Sequence, residues 1–242
     1  MIIDEYYDRT SPLFESVPVC QMENGRMVKT WKYAILEHTM DVCIQDAANI
    51  RFQCTPQYLA KLVIGYMLSS GIIRAGDEIE RICIYDNGKK ADVILKKASP
   101  DRMLPGAEES LGAAPISWER EWIYCLADTF SLDMPLHAKT GAAHISFLMS
   151  EGKIIFQCED IGRYNALDKA VGFGIRCGID LKKSILFTSG RMPAEMVMKA
   201  VYAGIPMLAG RSVPTKEAVD TARRYGLTLI GKVKGSSMVC YT

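Results

Sequence analysis

The chain has 242 residues, 49% hydrophobic and 24% charged, with a formal net charge of +1. That length allows one large or two small domains with a real core, and the near-neutral balance excludes an overall draw to nucleic acid or an anionic membrane, so any ligand-directed charge must be local. No apolar run approaches the ~18 residues of a membrane helix, and the start MIIDEYYDRTSPLF is too acidic for a leader; eight cysteines without C-x-x-C spacing read as reduced thiols of a cytoplasmic protein, mostly small core residues.

Residues 15–97 read as β-rich. SVPVCQM and RMVKTWKYAIL flank Glu23-Asn24-Gly25 as a hairpin, and MDVCIQ and NIRFQC follow around Asp46-Ala47-Ala48. In TPQYLAKLVIGYMLSSG, Thr55 is the expected N-cap and Pro56 suits the first helical position. Leu59, Leu62, Val63, Tyr66 and Met67 recur at helical spacing, and Gly71 closes the run. RICIYDNGKKADVILKK is a second hairpin, turning at Asp86-Asn87-Gly88. Residues 98–116 read as a loop or linker. WEREWIYCLADTF predicts a helix with Trp118, Trp122, Cys125 and Leu126 on its apolar side.

From about residue 138 the texture becomes α/β. HISFLM and KIIFQC form a hairpin, then helices near 164–176, 192–203 and 215–225 alternate with the strands SILFTS, IPMLAG and LTLIGKV, before a last strand MVCYT. The pattern predicts helices covering a mixed sheet. The domain division expected is 1–114, β-rich, and 115–242, α/β.

Gly-Arg recurs three times where a strand runs out and a helix follows: Gly162-Arg163, Gly190-Arg191 and Gly210-Arg211. In an open sheet such junctions share the carboxyl edge, where ligands bind. Glycine permits close backbone approach, a helix start offers free N–H groups and a positive dipole end, and arginine supplies a planar fork suited to phosphate. Three together predict a pocket for a ligand with several phosphates. Ser189, Ser212 and Thr215 add hydroxyls, with Thr215 equally an N-cap. Asp168 and Lys169 lie one to two turns into the first helix, and Lys199 lies two turns beyond Arg191; each orients the arginines or touches the ligand, or else is a solvated helix face. Glu159 and Asp160 flank the first turn as partners for Arg191 or Arg211. The competing reading pairs Arg163 with Asp160 or Asp168, and Arg191 with Glu195.

These stretches resemble the signatures of the FdhD family, the formate dehydrogenase accessory proteins. EDIGRYNALDK at 159–169 resembles E-D-[VI]-G-R-H-N-A-x-D-K, and SGRMPAEMVMK at 189–199 resembles S-G-R-x-x-x-E-M-V-x-K. RSVPTKEAV at 211–219, TGAAH at 140–144 and the tail GLTLIGKVKGSSMVCYT also resemble family motifs, and CTPQYLAKLVIGYMLSSGII extends the match to about residue 37.

The resemblance implies a cytoplasmic homodimer with a three-layer, cytidine-deaminase-like C-terminal α/β domain on a mixed sheet, plus a smaller β-rich N-terminal domain. It implies binding of the bis-guanine-dinucleotide molybdenum cofactor, or of a GDP-like nucleotide, and sulfur transfer to that cofactor. It names a cysteine desulfurase and the formate dehydrogenase catalytic subunit as partners. Carried onto this chain, the ligand contacts are Gly162, Arg163, Asp168, Lys169, Ser189, Gly190, Arg191, Glu195, Lys199, Arg211, Ser212 and Thr215, with Lys232, Val233, Lys234, Gly235, Ser236 and Ser237 of the tail. The family carries sulfur as a persulfide on a C-G-x-C-G loop; the corresponding stretch here, LKKASPDRMLPGAEESLGA, has no cysteine. Cys158, beside Glu159, and Cys125 are the substitutes considered, and a buried core thiol is the competing reading of both. Tyr164 stands for the family's histidine. With no H-x-E and no C-x-x-C, zinc deaminase chemistry and a zinc site are not expected. The alternative function is a nucleotide- or cofactor-binding module, or a regulatory protein, without sulfur transfer.

Overall fold

The structure is a computed structural model that describes residues 1–96, 111–132 and 134–242. Two sheets lie on either side of a helical layer. The first has strand order β1-β6-β7-β4-β5, built from β1 (Ile2–Glu5), β4 (His38–Ile44), β5 (Ala48–Cys54), β6 (Ile79–Tyr85) and β7 (Lys90–Leu95). Alternation along β4 buries Met40, Val42 and Ile44 and exposes Asp41 and Cys43, the mark of a sheet with one covered face. The cover is α1 (Leu59–Ser69). A separate hairpin of β2 (Phe14–Glu23) and β3 (Arg26–Ile35) turns at Asn24-Gly25, both with positive φ.

The second sheet has order β13-β12-β11-β10-β8-β9. Its strands are β8 (His144–Ser150), β9 (Lys153–Asp160), β10 (Ser184–Thr188), β11 (Met207–Gly210), β12 (Thr228–Lys234) and β13 (Ser237–Cys240). β10, β11 and β12 are parallel, while β8 is antiparallel to both β10 and β9. Strands β9 to β12 other than β8 therefore all end at one edge, and β8 begins there. Every residue of β10 is buried, as expected of a central strand covered on both faces. Ile185 and Phe187 pack toward α2 (Arg120–Leu132), whereas Leu186 and Leu208 pack toward α4 (Arg163–Arg176), α5 (Ala194–Tyr202) and α6 (Lys216–Tyr225). The three-layer arrangement expected for the C-terminal half is thus present. The core on the α4–α6 side runs on through α1 to the first sheet.

Several local expectations are corrected. Thr55 does not cap α1; the helix starts four residues later, behind Tyr58 in the left-handed region at φ 60, because Thr55 is buried and bonded elsewhere. β1 and a short helix α3 (Pro135–Thr140) have no periodic signal in so few residues. Cys125 is exposed; the buried stripe of α2 is Ile123, Leu126 and Ala127. Most of the 98–116 linker lies outside the described residues, and residues 111–119 have no regular structure. No helix among the described residues is long and apolar enough to cross a membrane.

Candidate functional site

The edge where β9, β10, β11 and β12 run out gathers the Gly-Arg turns. Register fixes this: Thr188 faces both Ser146 and Gly210, and His144 faces Asp160. From β9 to β12 the edge spans four strand spacings of ~4.8 Å, roughly 19 Å. The strand ends are stitched by the chain itself. Ser189 Oγ accepts from Ile145 N at 2.9 Å, Ser212 Oγ donates to Ser189 O at 3.3 Å, and Lys232 N donates to Ser212 O at 3.0 Å.

Arg163 opens α4 and folds back over the β10 turn. A methyl group at Gly190 would sit 2.7 Å from Arg163 Cβ, so that glycine makes room for an arginine stem rather than for a ligand. The Arg163 guanidinium lies 4.5 Å from the Tyr164 ring centroid, and Nη2 donates to Tyr164 Oη at 3.3 Å. Its Nε is buried without a partner. Arg211 lies 4.7 Å from the Phe130 ring, with Nη1 at 3.5 Å from Ser131 Oγ. Arg191 is exposed. Among the described residues no carboxylate oxygen comes within 4.0 Å of any of the three. The pairings with Asp160, Asp168 and Glu195 are therefore corrected. His144 stands between them: burial first, then the charges of Arg163, His137 and Arg191, hold its imidazole below the ordinary 6.5.

The acids and lysines of the opening motif do other work. Glu159 accepts from Leu136 N and His137 N at 2.9 and 2.6 Å and so caps α3. Asp160, fully buried, pairs with the equally buried Lys169 at 2.5 Å. Its Oδ1 accepts from Gly162 N and Asn165 Nδ2, and its Oδ2 from Thr55 N. Lys169 Nζ also donates to Thr55 O and Oγ1. Asp168 accepts Lys199 Nζ at 2.9 Å and Ser69 Oγ at 2.5 Å. Asp168, Lys169 and Lys199 therefore do not face the rim, contrary to expectation; they join α1 to α4 and α5, because buried charges must be paired and bonded. Glu195 faces the Tyr164 phenol. Thr215 caps α6, accepting from Ala218 N at 3.2 Å.

In the tail, Val233 is buried in the α2-side core, so only its backbone is available. Lys232, at φ 54, and Lys234, Gly235, Ser236 and Ser237 are exposed around the β12–β13 turn. Cys158 is 4% exposed and its thiol donates to Ala166 O at 3.2 Å. Burial pushes it up to about 12, the opposite of an activated nucleophile. Rim contributions that the sequence does not announce are Phe130 and Ser131 under Arg211, and Ser146, whose buried Oγ has no partner. The first two come from the end of α2, whose docking onto the sheet edge carries no local signal.

The comparisons with known proteins agree with this architecture. The family model described as FdhD/NarQ family matches residues 35–242. The chain is similar to a protein named sulfur carrier protein FdhD from Methanothermobacter thermautotrophicus, 31% identical over 214 residues, 82% of this chain and 85% of that protein. It is also similar to one of the same name from Geobacillus kaustophilus, 28% identical over 246 residues, 93% and 94% of the two chains. A crystal structure assigned to a formate dehydrogenase accessory protein from Desulfotalea psychrophila superposes with a TM-score of 0.84 at 22% identity, covering 96% of this chain and 97% of that one; it shares the fold. With a family match spanning most of its length and a relative above 30% identity, this chain belongs to the FdhD/NarQ family.

Proposed function

We propose that this chain is an accessory protein of formate dehydrogenase maturation that binds a guanine-dinucleotide molybdenum or tungsten cofactor, as cargo, along the Gly-Arg rim. The observation that carries the reading is three arginines on one sheet edge with no described carboxylate in reach and one buried, unpartnered Nε. An orphaned buried donor costs about 1–3 kcal/mol, which a phosphate oxygen would offset. The relatives' printed name, sulfur carrier protein, supports the maturation role. The partners in this reading are a second copy of the chain, a cysteine desulfurase and the formate dehydrogenase catalytic subunit, acting in the cytoplasm.

Calorimetric titration with GDP tests the site. Each of Arg163→Ala, Arg191→Ala and Arg211→Ala should weaken binding by about 1.5–3 kcal/mol, roughly 10- to 100-fold. Undiminished binding by the triple variant, or no binding by the parent at millimolar GDP, ends the reading.

A pH dependence follows from His144. Burial keeps the imidazole low in either state, but a phosphate between Arg163 and Arg191 cancels their added contribution, so the bound state has the higher pKa and takes up a proton. Affinity should therefore rise as pH falls through the bound-state imidazole value, level off below the free-state one, which lies under 6.5, and be flat well above both. The Cε1 resonance of His144, followed with and without GDP, should move its midpoint upward; an unmoved midpoint would remove the imidazole from the site.

Sulfur carriage is the second part of the proposal, and the burial of Cys158 removes that thiol from it. Of the two cysteines considered, Cys125 is exposed on α2 and is the one a desulfurase can reach. Incubation with a desulfurase and labelled cysteine, then persulfide mapping by mass spectrometry, should label Cys125 and spare Cys158. A protein without label anywhere is a binding module only.

A further inference from the structure

A second cationic recess lies at the other end of α4, away from the Gly-Arg rim. The chain leaving β1 packs beside the first turn of α1 and the last turn of α4. Glu5, Tyr7, Arg9, Tyr58, Lys61 and Arg176 line a cavity of about 270 Å³ there. Two guanidiniums share one carboxylate. Glu5, whose side chain is 7% exposed, takes Arg9 Nη2 at 2.5 Å on Oε2, with Arg176 Nη1 at 3.8 Å. Its Oε1 accepts the Tyr7 hydroxyl at 3.1 Å. Burial and the neighbouring Glu5 push the Tyr7 phenol up to about 12, so it stays a donor and keeps that oxygen occupied.

Lys61 has no carboxylate within 4.0 Å among the described residues. Its ammonium rests 4.4 Å from the Tyr58 ring centroid. Burial, then the charge of Arg176, hold it below the ordinary lysine value, against the opposing pull of Glu5. Pro56, Gln57 and Tyr58, the residues just before α1, border the same space, and Tyr58 offers the helix no side-chain cap. The recess thus combines two partly satisfied guanidiniums with an ammonium that has no paired carboxylate.

We propose that this recess binds a phosphate group, held by Lys61, Arg9 and Arg176 at the start of α1. Net local charge calls for a dianion, and both Glu5 oxygens are already covered by donors. The volume is below the ~300 Å³ at which drug-sized sites begin, so it takes a free phosphate or an ester with a small substituent, not a dinucleotide. The site is separate from the rim and stands or falls independently of it.

The test is an amide NMR titration of the ¹⁵N-labelled full chain with inorganic phosphate, with sodium chloride added to hold ionic strength constant. Saturable shifts are expected at Gln57, Tyr58 and Lys61. Lys61→Met and Arg176→Ala should each weaken binding about tenfold, one charge-assisted contact. Arg9→Ala, at an exposed side chain, gives the same readout should either of the others fail to fold. The variant lacking Arg163, Arg191 and Arg211 should titrate like the parent. A parallel titration with glycerol phosphate distinguishes the ester, bound more tightly, from the free ion, bound equally well. Shifts that follow ionic strength alone, shifts confined to the rim, or unaltered affinity in the recess variants would overturn the assignment.

Discussion

Replacing Lys169 by Met is expected to lower the unfolding free energy by about 3–5 kcal/mol, the usual result of removing one partner from a buried ion pair. Both side chains of the Lys169–Asp160 pair are fully buried, so no solvent replaces the lost ammonium. Asp160 would keep four donors, Thr55 N and Oγ1, Gly162 N and Asn165 Nδ2, but lose its counter-charge. Thr55 would lose both bonds from Nζ. Adding Asp160→Asn removes the stranded charge and should recover part of the loss, though its amide cannot accept from all four donors at once. Urea unfolding of the single and double variants measures both terms, with an unchanged m-value required for the comparison. A Lys169→Met protein within about 1 kcal/mol of the parent would show that the pair does not hold the halves together. The variant should also bind GDP as the parent does while folded, since Lys169 lies beneath the rim and not on it.

That separation explains what could be read from the sequence and what could not. The alternation of MDVCIQ and the helical spacing after Pro56 report burial directly, and both elements are found, because a periodic apolar face has one way to be covered. The Gly-Arg recurrence correctly marks the common edge, since strand ends in a parallel set must align. The charges within EDIGRYNALDK are different. Asp160, Asp168 and Lys169 have the composition of a ligand site, yet beyond the Asp160–Lys169 pair itself their partners Thr55, Ser69 and Lys199 lie 31 to 114 positions away. A buried pair and a solvated or ligand-bound charge look the same in one dimension. Of the charged residues from Asp160 to Lys169, Arg163 turns toward the rim, with the Tyr164 ring beside it. The same limit hid the cap that Glu159 provides to α3, because a six-residue helix gives no periodicity to detect. Thr55 has every local property of an N-cap, and tertiary bonding to Asp160 outweighs that preference.

Gly172→Ala and Gly65→Ala should each cost about 5 kcal/mol or more, comparable with the whole ~5–15 kcal/mol of a typical domain, and should leave little folded protein at 37 °C. Helices α1 and α4 cross at these two glycines. A methyl group on Gly65 would sit 1.7 Å from the Asp168 carbonyl oxygen, and one on Gly172 would sit 1.9 Å from that of Lys61. The obstacles are backbone atoms of the facing helix, so no rotamer change relieves them; the helices must separate. Separation carries the damage further than the clash itself. Asp168 and Lys169 ride on α4, while Ser69 belongs to α1 and Thr55 lies just before it, so moving the axes apart stretches both buried polar clusters together. Lost packing between α1 and α4 adds the transfer cost of apolar surface re-exposed to water. Gly112→Ala is the control: a methyl group there meets nothing within 4 Å, so its melting temperature should match the parent's. Thermal unfolding of the three variants decides the matter, and a Gly172→Ala protein that melts with the control would mean the two helices do not approach at their backbones.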